Sequence, residues 1–69
     1  MKGKLLPLAA MEKLMKHCGA ERVSDKAKAE LKRIIEERAL DIAEKAKQLA
    51  EHAGRKTIKS EDIRLAARN

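Results

Sequence analysis

Residues 24–53 read SDKAKAELKRIIEERALDIAEKAKQLAEHA, a run without Gly or Pro, and Gly54 follows directly. Within it Ala27, Leu31, Ile34, Ile35, Ile42, Ala43, Ala46, Leu49, Ala50 and Ala53 recur at the three- and four-residue spacing of one helical face. Ser24 and Asp25 open the run, since a hydroxyl accepts from orphan amides and an acid complements the helix dipole. Gly54 provides the stop, and pairs such as Asp41 with Lys45 line the outer face. The predicted helix over 25–53 would be about 43 Å long at 1.5 Å per residue. A compact chain of this size has a diameter of only about 28 Å. The helix must therefore project beyond its own domain, and two copies crossing at their middles would bury a stripe that one chain cannot. An obligate dimer follows, with no stable folded monomer. Arg38 occupies a place in the stripe where a large aliphatic residue is expected, and the sequence leaves open whether it snorkels or pairs with an acid. A closed three-helix bundle is the competing architecture, but its helices would be of similar length.

On either side the chain reads as a shorter helix. Leu8, Met11, Leu14, Met15 and Cys18 form one face of a helix over 8–18, with Pro7 in its first turn and Gly19 at its C′ position. Ser60, followed by Glu61 and Asp62, is expected to cap a helix over 61–67 containing Ile63, Leu65 and Ala66. The connectors are residues 19–23 and 55–59, where β-branched Val23, Thr57 and Ile58 make each a candidate for a brief strand. Residues 1–69 thus read as a single all-α domain of short, long and short helices.

Composition narrows the function. The chain has 69 residues, 43% hydrophobic and 41% charged, with no Phe, Trp or Tyr. So small an aliphatic core is marginal alone. One cysteine allows no internal disulfide and no pair of zinc ligands, which leaves oligomerisation as the source of stability. The formal charge of +6 is segregated. Residues 1–23 carry five bases against two acids, residues 24–53 seven against seven, and residues 54–69 five against two. A basic chain points to nucleic acid or an anionic membrane. The longest apolar run, residues 5–11, is interrupted by Pro7 and followed by Glu12 and Lys13, whereas a spanning helix needs about 20 residues. No membrane partner is expected, and the chain reads as soluble and intracellular. Single-strand binders and many RNA readers stack bases on aromatic rings, so duplex DNA is favoured. His17 and Cys18 are neighbours and His52 is remote, so no metal or catalytic cluster is legible. Cys18 reads as a small packed hydrophobe. Neither an enzyme nor a cofactor is expected.

The connectors also carry a resemblance. Gly19-Ala20-Glu21-Arg22-Val23-Ser24, and His52-Ala53-Gly54-Arg55-Lys56-Thr57-Ile58-Lys59 with Ser60-Glu61-Asp62-Ile63, resemble the two loops of archaeal histones, and Leu6-Pro7-Leu8-Ala9 resembles their opening. The resemblance covers nearly the whole chain without gaps. It implies the histone fold, with two chains joined in a handshake homodimer or in a heterodimer with a paralogous histone, and with each first loop beside the partner's second. It also implies double-stranded DNA as partner, wrapped without sequence specificity into nucleosome-like chromatin, and a cytoplasmic location on the chromosome, in the nucleoid. Arg22 matches the arginine that enters the minor groove, Lys56 and Thr57 match phosphate contacts, and Lys13 matches a first-helix phosphate contact. Arg55 lies near DNA too, but its match is chiefly to the residue that clamps the second loop to Asp62. Lys59, Lys2 and Lys4 are expected as auxiliary contacts, and Glu12 is expected to weaken the field at Lys13. Leu49, His52 and Asp62 match positions where dimers stack into tetramers or longer arrays on DNA, His52 donating to Asp62 of a neighbouring dimer. Gly19 matches a small residue between successive turns of such an array. The rival readings are a helix-turn-helix protein bound to a specific operator and a histone-fold transcription-related protein that works mainly through protein partners.

Overall fold

A computed structural model describes residues 6–68, which form three helices, α1 (Leu8–His17), α2 (Asp25–His52) and α3 (Ser60–Arg68). Lys2 and Lys4 lie outside the described residues. The architecture is all-α, and no strand forms among the described residues. Val23, Thr57 and Ile58 are therefore not strand residues here: a ladder needs a paired extended segment, and none pairs with them among the described residues.

The helix ends follow from a few side chains. Ser24 Oγ accepts from the Ala27 amide at 3.1 Å, which satisfies one orphan donor at the start of α2. α1 and α2 terminate in the same way. The Ala20 amide donates to Met15 O and that of Gly19 to Lys16 O, just as the Arg55 amide donates to Ala50 O and that of Gly54 to Glu51 O. This paired bonding requires a left-handed residue at the C′ position, supplied by Gly19 at φ +102 and Gly54 at φ +74. α3 departs from the expectation. Lys59, not Ser60, is the cap residue, because its carbonyl accepts from Ile63 and its amide donates to Asp62 Oδ2 at 2.8 Å. Ser60 is the first helical residue. A carboxylate at the third position that reaches back to the cap amide supplies half of a capping box, so the acid displaces the hydroxyl. Pro7 likewise sits at the cap of α1 rather than in its first turn.

The chain divides into two compact units, Met1–Glu37 and Arg38–Asn69. In the first, Met11 is buried and Glu36 is only 4% exposed. One partner of Glu36 is the Leu6 amide, which donates to Oε2 at 2.9 Å. α1 has neither an acid in its first turn nor a side-chain cap, so this carboxylate places the complementary charge near its positive end. Lys28 joins α2 to α1 through Glu12 at 3.3 Å while pairing with Asp25 at 3.1 Å. In the second unit Ala46, Ala50 and Ala66 are buried. There Arg38 Nη2 donates to Ala67 O in the last turn of α3 at 2.9 Å. Among the described residues seven large apolar side chains, including Leu14, Ile34, Leu40 and Leu65, remain exposed, and no large side chain is fully buried.

Candidate nucleic-acid interface

The second loop is held by one arginine. Arg55, half-buried, directs Nη1 to Asp62 Oδ2 and Nη2 to Asp62 Oδ1, both at 3.0 Å, and Nη1 also donates to Thr57 O at 2.9 Å. With the Lys59 amide on Oδ2, the buried carboxylate collects three donors. The Arg55 guanidinium, followed by the Lys59 amide, holds Asp62 at about 2, below its ordinary 3.8, while Asp62 raises Arg55. A planar fork on a carboxylate gives a fixed geometry that lysine cannot reproduce. Lys56, Thr57 and Lys59 are exposed around this clamp. Arg55 is the exception in the basic loop, since its charge is met by Asp62.

The first loop presents Arg22, which is exposed and sits at the rim of an apolar groove lined by Leu14, Met15, Val23, Ala27, Leu31 and Ile35. Cys18 lines the same groove and is exposed. Within the single chain it is not the packed hydrophobe that the sequence predicts: it stands at the end of α1, open on the same groove as Leu14 and Met15. A Cβ on Gly19 would meet nothing within 4 Å, so within the chain its backbone angle, and not crowding, requires glycine.

Lys13 is exposed on α1. Its neighbour Glu12 does not confront it with an unopposed charge, contrary to the expectation of a weakened field. Glu12 is bound by Lys16 at 3.2 Å and Lys28 at 3.3 Å, and these two hydrogen-bonded ammonium groups, Lys16 foremost, lower its pKa. Lys28 is raised in turn, by Asp25 first and then by Glu12.

At the end of α2, Leu49 is half-buried and His52 exposed beside Gln48 and Glu51. The structure brings Arg55, Thr57, Lys59 and Asp62 together; it does not join His52 to Asp62 within the chain. His17 is exposed, and no group of three or more His, Cys, Asp or Glu among the described residues has the arrangement to hold a metal ion. No described helix is long and apolar enough to cross a membrane. Glu36 and the Arg38–Ala67 contact were not legible as site features, because their partners lie 30 and 29 residues away.

The family of histone-like transcription factors (CBF/NF-Y) and archaeal histones has a sequence profile that matches residues 4–67. The chain belongs to this histone-fold family. Among its relatives, a subunit of the archaeal histone HAN1 of Thermococcus zilligii is 48% identical over 63 residues, 91% of this chain and 94% of the relative. Probable archaeal histone 3 of Methanocaldococcus jannaschii is 46% identical over the same shares of the two chains. The family is one of structural DNA-binding proteins.

Proposed function

We propose that this histone-fold chain is an architectural protein of duplex DNA. It pairs through α2, with a second copy or a paralogous chain, and bends DNA across a surface built from loops and helix ends. The observation that carries the reading is the second loop: Arg55 is locked onto Asp62, and Lys56, Thr57 and Lys59 are exposed around that rigid support. A loop fixed in advance loses little conformational freedom on meeting a phosphate. Arg22 and Lys13 supply further cations on the other unit. The +3 segments at the two ends, on either side of a neutral middle, agree with contacts outside α2. The large apolar side chains exposed among the described residues support a core completed by a partner chain.

Contacts with phosphates release counterions, so affinity falls steeply with salt and depends little on base sequence. Positioning follows groove width and the flexibility of base steps. Sedimentation at micromolar concentration distinguishes the expected dimer from a folded monomer, which would defeat the pairing. Nuclease digestion of complexes reconstituted on random DNA tests wrapping. Protected fragments of regular length from unrelated sequences support it; protection of one sequence alone favours an operator-binding protein, and no protection favours a chain that works through protein partners.

A further inference from the structure

Residues 19–23 join α1 to α2 and carry Arg22. The Gly19 and Ala20 amides close α1, but among the described residues the amides of Glu21, Arg22 and Val23 donate to no backbone carbonyl. The position of Arg22 therefore depends on what holds the two helices at the ends of the loop. A row of alternating charges crosses between them. Lys16, in the last turn of α1, meets Glu12 Oε2 at 3.2 Å; Glu12 Oε1 meets Lys28 Nζ at 3.3 Å; and Lys28 Nζ meets Asp25 Oδ1 at 3.1 Å. The contact of Glu12 with Lys28 is the one that spans the two helices.

Lys28 is well placed for this. Its amide donates to Ser24 O at 3.1 Å, so its backbone is fixed to the cap of α2. Its side chain is only 17% exposed, against 52% for Lys16. A lysine that has given up much of its water needs other partners for its charge, and two carboxylates supply them through charge-assisted hydrogen bonds. One of those carboxylates is on each helix, so the lysine keeps both only while α1 and the start of α2 hold their present places.

We infer that Lys28 is a positioning residue of the DNA-binding surface: bridging Glu12 of α1 and Asp25 of α2, it holds the first loop in the shape that presents Arg22. The inference rests on the DNA reading proposed above. It gives the first loop a counterpart to the Arg55–Asp62 clamp of the second, built differently. Arg55 lies in the loop that it fixes, whereas Lys28 fixes the helices on either side.

Opposite charges at the two ends of the bridge make the test sharp. Glu12→Ala and Lys28→Met both break it, yet the first removes an acid and the second a base. Direct attraction to phosphates would move duplex affinity in opposite directions, whereas loss of the bridge reduces the share of Arg22 in both. That share is the fold-loss of affinity on Arg22→Ala in each background. It should be roughly threefold smaller in both variants than in wild type, and Lys28→Arg, which can keep both carboxylates, should retain it. An undiminished share in the two variants, or opposite changes in them, would overturn the inference. Glu12→Ala puts a good helix former at a half-buried position, and it decides alone should Lys28→Met fail to fold. Hydrogen exchange reads the loop without DNA. Amides of residues 19–23 should exchange roughly threefold faster in both variants, with the middle of α2 unchanged; unaltered loop exchange would also overturn the inference. Failure of the DNA reading is separately visible, because Arg22→Ala would then leave affinity unchanged in wild type itself, and exchange alone would decide whether Lys28 holds the loop.

Discussion

Arg55 and Asp62 meet in a two-pronged ion pair, both prongs at 3.0 Å, just where the second loop hands over to α3. The same carboxylate caps α3 through the Lys59 amide. One acid therefore fixes both the path of the loop and the start of the helix. In a basic segment this distinguishes the cations: Arg55 is committed to Asp62, whereas Lys56 and Lys59 are exposed.

Because Asp62 titrates at about 2 instead of its ordinary 3.8, its contribution to stability has a definite sign. A depressed carboxylate favours the folded state fully above its unfolded value, and the contribution is lost as pH falls toward the folded value. Thermal unfolding of wild type and Asp62→Asn should differ by a constant amount above pH 5 or so, and the difference should shrink between about pH 4 and 2. A difference independent of pH in that window would mean that the carboxylate's charge contributes nothing.

Arg55→Ala and Lys56→Ala should fail differently. Loss of Arg55 leaves the buried Asp62 without its main partner, and Tm should fall by something on the order of 10 °C. Lys56→Ala should leave Tm unchanged while lowering the slope of log affinity against log salt by roughly 1 per protomer. Circular dichroism and DNA titrations over a salt series check the pair. Equal effects of the two substitutions on stability would contradict the division of roles.

What the sequence disclosed depends on how far apart the cooperating residues lie. The long helix, its Ser24 cap and both glycine stops are local, governed by periodicity and by neighbours a few residues away, and they read directly. The Arg55–Asp62 spacing of seven was accessible only through resemblance to a family. Glu36 under Leu6 and Arg38 under Ala67 were not legible, because each joins parts of the chain that only tertiary packing brings together. Ser60 misled for a different reason: its hydroxyl and the Asp62 carboxylate are both good caps, and propensity alone does not rank two competing acceptors two residues apart.

Ser24 offers a clean measure of capping. It is exposed, and its side chain meets the Ala27 amide. Ser24→Ala should cost about 1 kcal/mol, and Ser24→Asp should restore most of it. Chemical denaturation of the three chains checks this; an unaffected Ser24→Ala would show that α2 starts without help from its cap.

Arg22 tests sequence independence. Arg22→Ala should reduce both affinity and bending on unrelated duplexes, because an arginine in a groove responds to width more than to base identity. Fluorescence energy transfer between labelled duplex ends reads the bend and anisotropy the affinity. A loss confined to one sequence would favour the operator-binding reading.

Assembly along DNA is best tested away from Asp62. That carboxylate already takes three donors and supports the loop, so any substitution there mixes folding with stacking. About four lone-pair sites exist on a carboxylate, and the three donors from Arg55 and Lys59 occupy three of them. Leu49 and His52 lie one turn apart at the end of α2, half-buried and exposed respectively. Leu49→Glu with His52→Glu would place two acids opposite Asp62 and remove the apolar contact, while leaving Arg22, Lys13 and Lys56 intact. Dimers should survive and still bind short duplexes, but nuclease digestion should yield only the shortest protected fragments. Long protected fragments from the double variant would show that dimers associate on DNA through some other surface.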